Sequence, residues 1–224
     1  TPYNFPVMIP MWFWPYAVAA GNTFILKPSE QDPLTHQMIV DLAIEAGLPP
    51  GVLNVVHGAQ EAVTALLEHP GIAGISFVGS SRVARSVYAK AAAAGKRVQA
   101  LGGAKNYMIV LPDADMDVAL EACSGSIFGS TGQRCLAGSV IVGVGDAHAQ
   151  IRDRMLDSAA SIRLGDGLQP GTDMGPLISA AHRDRVNAFI DQGVSDGAKL
   201  SLDGRGATVE GLEGGYWVGA TVFA

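Results

Sequence analysis

Short apolar runs alternate with amphipathic stretches along the first half of the chain. The apolar runs are rich in β-branched residues and stop at proline or glycine, which predicts strands over residues 23–27, 52–56 and 74–78. The stretches between and after these runs repeat apolar positions at helical spacing, which predicts helices over residues 33–46, 62–68 and 83–94. Strands separated by helices of this length indicate βαβ units and a parallel sheet, so we expect an α/β fold.

The second half of the chain repeats this alternation more loosely. It predicts strands at residues 107–111, 139–144 and 220–223, and helices at residues 116–128, 148–161 and 183–192. Gly102 and Gly103 interrupt the pattern between the halves, so we expect one unit over residues 1–101 and another over residues 102–224. The chain begins within a motif and stops just after a strand-like run, and we expect it to be a piece of a longer protein.

Residues 5–21 are almost wholly apolar, but three prolines interrupt them. Pro6, Pro10 and Pro15 each remove a backbone donor and would kink a membrane-spanning helix. No basic segment precedes this stretch and no small-residue cleavage pattern follows it, which argues against a signal peptide. We therefore expect a strand end, a turn and a buried helix here, and no contact with a membrane.

Composition excludes several classes of protein. Hydrophobic residues make up 48% and charged residues 16% of the chain, which favours a packed core over disorder, collagen or coiled coil. The net charge of −6 and the absence of a basic stripe argue against nucleic-acid binding. Two cysteines fit a reducing compartment better than a disulfide scaffold. The histidines lack metal-ligand spacing, so we expect no metal site.

Cys135 is the candidate nucleophile. It ends the segment Gly132-Gln133-Arg134-Cys135, in which a neighbouring cation favours the reactive thiolate and glycine allows a substrate to approach. The alternative is a small buried hydrophobic residue. Cys123, on an apolar helix face, is assigned to that structural role.

Two polar turns follow predicted strands. Gly79-Ser80-Ser81 opens a helix, where free backbone amides bind phosphate or where the serine merely caps the helix. Lys27-Pro28-Ser29-Glu30 follows another strand, at the edge where α/β folds bind ligands, although a solvated loop is the plainer interpretation. Either turn taken singly is weak support for a binding site.

Taken together, these segments resemble the aldehyde dehydrogenase superfamily along the whole chain. The resemblance implies a Rossmann-like, parallel-sheet NAD-binding lobe and an α/β catalytic lobe, both truncated here. It also implies a homo-oligomer, a tetramer, for the full-length protein, in the bacterial cytoplasm or, in a eukaryote, the mitochondrial matrix. The motifs that carry it are Tyr3-Asn4-Phe5-Pro6, Gly21-Asn22-Thr23, Lys27-Pro28-Ser29-Glu30, residues 47–54, Phe77-Val78-Gly79-Ser80, Gly132-Gln133-Arg134-Cys135 and Gly175-Pro176.

The resemblance implies a covalent mechanism. Cys135 would attack an aldehyde, and the Asn4 side-chain amide with the Cys135 backbone N–H would form the oxyanion hole. Hydride transfer to NAD would then leave a thioester on Cys135.

The resemblance also implies a site for NAD. Lys27 and Glu30 would bind the adenosine ribose hydroxyls, and the carboxylate favours NAD over NADP because it repels a 2′-phosphate. Ser80 would meet the pyrophosphate. Tyr3 and Gly102 would line the nicotinamide half of the groove.

One departure from the superfamily bears on how the thioester is released. Hydrolytic members carry Glu-Leu-Gly-Gly-Lys, whose glutamate activates water, whereas residues 101–106 here read Leu-Gly-Gly-Ala-Lys-Asn. Alignment on Lys105 puts Leu101 at the glutamate position, at the family's own separation from Cys135. A general base contributes roughly 10²–10⁴-fold, so hydrolysis should be slow and another acceptor must take the acyl group.

The pattern resembles the methylmalonate-semialdehyde dehydrogenase branch, in which Gly-Ala-Lys-Asn and Gly-Gln-Arg-Cys both recur. This implies transfer of the acyl group to coenzyme A, with loss of CO₂ to give propionyl-CoA or acetyl-CoA. A CoA thiol ionises far more readily than water and needs less help from a base. One methyl group changes binding by only about 1–3 kcal/mol, so methylmalonate and malonate semialdehyde both stay open as substrates.

Arg134 acquires a second role in this branch. Its guanidinium can clamp the carboxylate of a semialdehyde acid, although a salt bridge to a local acid is the structural alternative. Two rival functions remain, a hydrolytic NAD-dependent aldehyde dehydrogenase and a non-catalytic relative of the fold. Leu101 counts against the first, and the presence of Asn4, Lys27, Glu30 and Cys135 counts against the second.

Overall fold

Three strand–helix–strand repeats organise the structure, a computed structural model that describes all 224 residues. In each repeat the two strands pair in parallel, which requires a long crossover, and a helix supplies it. The parallel pairing and the α/β class predicted from the sequence are therefore confirmed.

The residues before position 104 form nine of the helices and strands. Strand β1 pairs with β2 and strand β3 pairs with β4, and both pairs are parallel. In chain order these elements are α1 (Met8–Met11), α2 (Trp14–Ala19), β1 (Phe24–Leu26), α3 (Leu34–Glu45), β2 (Leu53–Val55), α4 (Gln60–Glu68), β3 (Gly74–Val78), α5 (Ser81–Ala93) and β4 (Arg97–Leu101).

The residues from position 104 onward add the third parallel pair, β5 with β6, and an antiparallel pair, β7 with β8. A short turn that follows α6 carries the chain toward β6, and it is described with the site below. In chain order the elements are β5 (Asn106–Val110), α6 (Met116–Phe128), β6 (Gly138–Gly143), α7 (Ala147–Ala160), α8 (Ala180–Ser195), β7 (Leu200–Leu202) and β8 (Val222–Phe223).

Each parallel pair has its own apolar core, because one stripe of a neighbouring helix packs on the strands. Val87 and Ala91 of α5 pack with Leu67 of α4 against partly buried residues of β3 and β4. The core beside β5 and β6 joins α6 to α7 and consists of Val110, Cys123, Ala147, Ile151 and Met155.

The chain divides into two compact units, Thr1–Gly103 and Ala104–Ala224. The sequence places the division two residues earlier, between Leu101 and Gly102. The assignment of NAD binding to the first unit and of catalysis to the second stays a prediction.

The N-terminal apolar stretch differs from its predicted form. It forms two short helices, α1 and α2, with no strand end, and α2 buries none of its residues. Pro15 lies in the first turn of α2, where a backbone N–H would have no partner within the helix. A proline at this position is therefore compatible with the start of a helix. The predicted strand end is therefore not formed, and the prediction of a buried helix holds for α1, which buries Ile9 and Pro10, but not for α2. No helix anywhere in the structure has the length and apolarity to cross a membrane.

Strands β4 and β7 were not expected from the sequence pattern. β4 alternates exposed Arg97 and Gln99 with half-buried Val98 and Ala100, but this strand pattern is short and has a single β-branched residue. It forms because β3 lies beside it in parallel, with Gly74 opposite Arg97 and Val78 opposite Leu101. Tertiary pairing thus outweighs a weak local preference.

Candidate functional site

Cys135 lies in a tight turn between α6 and β6. The Ala137 N–H donates to the Arg134 carbonyl over 3.2 Å, so Cys135 and Leu136 are the two central residues of a β-turn. The Cys135 side chain is half-buried. A turn of this kind makes no use of the N–H of its first central residue, which leaves the Cys135 amide available as a donor.

The residues just before this turn have unusual backbone geometry. Residues 130–132 are all left-handed, with φ of 51°, 56° and 67°, and the first two are not glycine. Such a conformation costs an ordinary residue roughly 1–2 kcal/mol, so neighbouring contacts must maintain it. The Thr131 hydroxyl donates to the Gly175 carbonyl over 2.9 Å, and the Gln133 side-chain carbonyl accepts the Ile178 N–H over 3.3 Å.

Arg134 points its guanidinium at the end of α6. Its Nη2 donates to the carbonyls of Gly125 and Ser126, the latter at 3.0 Å. Both carbonyls belong to the last turn of α6, where carbonyls lack a partner within the helix. A side chain on Gly129 would meet this guanidinium, so the arginine would have to move away from the helix end. The expected alternative, a salt bridge to a local acid, is not formed, and buried Nε has no partner.

Asn106 enters the sequence pattern only as a marker of the branch, but its side chain holds the turn that carries Cys135. Its Nδ2 donates to the Cys135 carbonyl over 2.7 Å and to the Ala137 carbonyl over 2.9 Å. The available signal was an amide residue immediately before a predicted strand, three positions after Gly103. The position of Asn106 in the sequence did not indicate that its side chain would bond to the carbonyls of Cys135 and Ala137.

Cys123 occupies the structural role expected for it. It is 2% exposed on the inner face of α6, within the core shared with α7. Burial raises the pKa of its thiol above the ordinary value, because the anion would lose its hydration. This cysteine is therefore poorly suited to be a nucleophile, and the prediction is confirmed.

Lys27 and Glu30 form an ion pair at the carboxyl end of β1. The Lys27 Nζ lies 3.2 Å from the Glu30 Oε2 and also donates to the Pro28 carbonyl over 2.7 Å. A hydrogen bond from its own backbone, with a further one from Lys27, lowers the pKa of Glu30. The turn thus presents an ionised, exposed carboxylate and a largely buried ammonium group to one edge. The carboxylate can accept hydrogen bonds from ribose hydroxyls and the ammonium can donate to them.

Ser80 caps helix α5. Its hydroxyl accepts the Val83 N–H over 3.5 Å, so the capping interpretation is confirmed, while contact with a pyrophosphate stays a prediction. The next hydroxyl, on Ser81, accepts the Gly103 N–H over 3.0 Å. A Cβ on Gly102 would lie 3.1 Å from the Ser81 Cα, so glycine is what allows β4 to end against the start of α5.

A surface depression of about 330 Å³ opens beside this contact. It joins the first turns of α5 to the end of β4 and includes one cation and one aromatic ring that the sequence pattern did not single out. Its lining residues are Ser81, Ala84, Arg85, Tyr88, Ala100 and Gly102. A shallow site at a helix N-terminus and a strand end fits the phosphates of a dinucleotide.

Tyr3 and Asn4 lie in a turn before α1, and both are half-buried. Burial raises the pKa of Tyr3, so its phenol stays protonated. Asn4 belongs to the first unit and Cys135 to the second, and their joint role as an oxyanion hole stays a prediction.

Comparison with known proteins gives this arrangement a context. The sequence profile of the aldehyde dehydrogenase family matches residues 1–224. A malonate-semialdehyde dehydrogenase from Pseudomonas aeruginosa is 51% identical over 224 residues, which are 100% of this chain and 45% of that protein. A Drosophila melanogaster protein, named probable methylmalonate-semialdehyde/malonate-semialdehyde dehydrogenase, acylating, mitochondrial, is 48% identical over 223 residues, 100% of this chain and 43% of its own. The chain thus spans less than half the length of these curated relatives.

Solved structures show the same fold. A Sinorhizobium meliloti protein in complex with NAD, assigned as methylmalonate-semialdehyde dehydrogenase, is 48% identical with a TM-score of 0.95, over 99% of this chain and 45% of that one. The methylmalonate-semialdehyde dehydrogenase of Oceanimonas doudoroffii is 47% identical with a TM-score of 0.94, over 99% of this chain and 46% of that one. The predicted fold is confirmed, and the chain belongs to the aldehyde dehydrogenase family.

Proposed function

We propose that the chain is part of an NAD-dependent, coenzyme A-acylating dehydrogenase of malonate or methylmalonate semialdehyde. The observation that carries the acylating part is Leu101, a residue without a proton acceptor at the position of the hydrolytic glutamate. Relatives named for these semialdehydes support the substrate class. By the same resemblance the full-length protein would be a homo-oligomer, a tetramer.

The Cys135 thiolate begins the reaction. Its sulfur forms a bond to the aldehyde carbon, and the carbonyl π electrons move to the oxygen as an alkoxide. The Asn4 amide and the Cys135 N–H would donate to that oxygen, as preorganised donors do where charge develops. The β-turn supports this role for the Cys135 amide, because it leaves the N–H unused.

Residues of the first unit would hold NAD. Lys27 and Glu30 would bind the adenosine ribose, Ser80 and the N-terminus of α5 the pyrophosphate, and Tyr3 and Gly102 the nicotinamide half. NAD, when bound, supplies the acceptor for the hydride that leaves the adduct carbon, and Cys135 is then left as a thioester.

Release of the acyl group would depend on coenzyme A. The CoA thiolate attacks the thioester carbon, the new C–S bond forms, and the Cys135 sulfur leaves as a thiolate. The β-carboxylate departs as CO₂, and the carbon that keeps the electron pair takes up a proton. Malonate semialdehyde then gives acetyl-CoA, and methylmalonate semialdehyde gives propionyl-CoA.

Arg134 would bind the substrate carboxylate in this scheme. Its Nη2 already donates to two carbonyls of α6 and its Nε is buried, so Nη1 is the guanidinium nitrogen within reach of a substrate oxygen in the observed conformation. A bidentate clamp would require the side chain to leave the helix end.

The test is NADH formation by the full-length protein with each semialdehyde, with and without coenzyme A. We expect a single-turnover burst that becomes steady turnover only when CoA is present. Equal steady rates without CoA would instead support the hydrolytic rival. Absence of any burst, together with iodoacetamide labelling of Cys135 no faster than that of Cys123, would support a non-catalytic relative.

A further inference from the structure

Asn106 is the first residue of β5 and lies beside the turn that carries Cys135. We propose that Asn106 is a positioning residue that sets the direction of the Cys135 side chain through two backbone carbonyls. The inference rests on the proposed function only in taking Cys135 as the nucleophile.

The two hydrogen bonds use both hydrogens of one amide nitrogen. Nδ2 donates to the carbonyls of Cys135 and Ala137, at 2.7 and 2.9 Å. These carbonyls lie on either side of Leu136, the second central residue of the β-turn. Because the turn is also closed by its own bond between Arg134 and Ala137, the peptide groups that follow Cys135 have little freedom to rotate.

An irregularity in the β5–β6 pairing brings Asn106 to this place. Asn106 lies opposite Gly138, but the next residue, Tyr107, lies opposite Val140, so Ser139 is an extra residue in β6. The Ser139 hydroxyl donates to the Asn106 carbonyl over 3.3 Å, which ties the bulge to the same residue. Bulges of this kind redirect side chains and are common beside active sites.

A second anchor holds the strand that leaves the turn. The Ser126 hydroxyl, near the end of α6, accepts the Gly138 N–H over 2.9 Å. A Cβ on Gly138 would collide with the Met108 side chain, so the glycine leaves room for Met108 in its observed position. With α6 and β6 held in this way, Asn106 supplies the hydrogen bonds that reach the carbonyl of the nucleophile itself.

The side chain at position 106 must be a short double donor. Leucine has a similar shape but would leave two partly buried carbonyls without a partner, and aspartate would turn a carboxylate toward them. Small errors in the direction of a nucleophile are expensive, since reacting atoms must approach to about 3–3.5 Å along the right line. Loss of Asn106 should therefore slow acylation and leave substrate binding largely intact.

The experiment compares Asn106→Leu and Asn106→Asp with Ser124→Ala in the full-length protein. Ser124 is a matched control, because its hydroxyl makes a 2.8 Å hydrogen bond to the Ser158 hydroxyl between α6 and α7, away from the turn. Amide hydrogen exchange of residues 133–138 is measured on each variant. The rate constant of the NADH burst and the KM for semialdehyde are measured well below each variant's melting temperature.

We expect Asn106→Leu to speed exchange in residues 133–138 and to slow the burst, each by about tenfold, with KM changed less than about threefold. Asn106→Asp should show the same losses, and they should shrink as the pH falls, because a protonated carboxyl regains one donor. Ser124→Ala should change neither quantity by more than about twofold.

Two results would overturn the inference. One is unchanged exchange of residues 133–138 in both Asn106 variants; the other is a burst slowed equally by Ser124→Ala. If the wild-type protein gives no burst, the proposed function fails, but hydrogen exchange still decides whether Asn106 holds the turn. Aspartate differs from asparagine only in having an oxygen in place of the NH₂ group, so Asn106→Asp can still test the inference if Asn106→Leu does not fold.

Discussion

The two cysteines lie twelve positions apart in the sequence and in opposite surroundings. Cys123 faces the core from the middle of a regular helix, and its thiol has a raised pKa because its anion would be desolvated. Cys135 lies in a half-buried turn whose backbone is held from several directions, by Arg134 on α6 and by Asn106 at β5.

The difference shows that a cysteine packed inside a helix core contributes to packing, whereas a cysteine in a well-held, half-buried turn can present its thiol to a substrate. In the helix the backbone hydrogen bonds are made within the element, and the side chain contributes by filling space. In the turn the cysteine side chain is half-buried, and the backbone that carries it is held by hydrogen bonds to α6 and from β5. The Cys135 region therefore depends on a few polar contacts, and the Cys123 region on many apolar ones.

The largest effect should come from changing the sulfur of the turn. Cys135→Ser in the full-length protein should lower NADH formation by at least about 1,000-fold, because a hydroxyl hardly ionises and is a far weaker nucleophile. Its free energy of unfolding should stay within about 0.5 kcal/mol of wild type, since the site is half-buried. Burst kinetics and thermal unfolding measure the two quantities. Retained turnover would show that the nucleophile is another residue.

The next effect concerns release of the acyl group from Cys135 in the proposed reaction. Leu101→Glu places a carboxylate at the position of the hydrolytic base, and we expect steady NADH formation without CoA to rise by about 100-fold. Leu101→Gln is the matched control, with the same shape and no base, and it should leave CoA-independent turnover low. Leu101 is 40% exposed at the end of β4, so either side chain can be accommodated. A rise in both variants would contradict a general-base explanation.

Replacing Cys123 should have the opposite effect to replacing Cys135, lowering stability and leaving activity nearly unchanged. Cys123→Ser should destabilise the protein by about 1–3 kcal/mol, because it buries a hydroxyl among apolar side chains. Its burst rate should stay within about twofold of wild type, since the residue touches no reacting group. Chemical denaturation and burst kinetics on the same preparation give both numbers. A loss of activity without a loss of stability would refute the structural role of Cys123.

The smallest effect is the pH dependence of the free energy of unfolding that the Cys123 thiol causes. The pKa of Cys123 in the folded state lies above its ordinary value of 9.0, so its contribution to stability is complete below that pH. As the pH rises past 9.0 the unfolded chain loses the proton first, and stability falls. Cys123→Ala should remove this part of the alkaline loss, which is measured as the difference between two denaturation series. Parallel series for wild type and variant would contradict the raised pKa.

Local pattern was enough to predict most of the elements. The strand Gly74–Val78 and the helix Met116–Phe128 were predicted with their observed bounds, because apolar periodicity and the flanking turn residues agree there. β4 escaped prediction because its alternating pattern covers only five residues with one β-branched residue among them, and pairing with β3 supports it as a strand. The apolar N-terminal stretch misled in the opposite way, since hydrophobicity alone does not say whether a helix is buried.

In the candidate site, too, some features could be predicted from the sequence and others could not. Residue type and position made Cys135 and the Lys27–Glu30 turn candidates, and the resemblance to the family implied their roles and the missing base at Leu101; these roles stay predictions. The destination of the Arg134 guanidinium could not be predicted, because a flexible cation finds whichever acceptors the fold brings near, and here these are helix carbonyls.

The sequence by itself thus determined which chemical groups are present, in what order, and which group is missing. Tertiary structure alone decided how the backbone around Cys135 is held, through Asn106 on the Cys135 carbonyl and Thr131 on the Gly175 carbonyl. The physical reason is that hydrogen bonds require atoms within about 3 Å and in line, a condition set by where distant strands and loops meet. Residue type and local spacing carry no such distance.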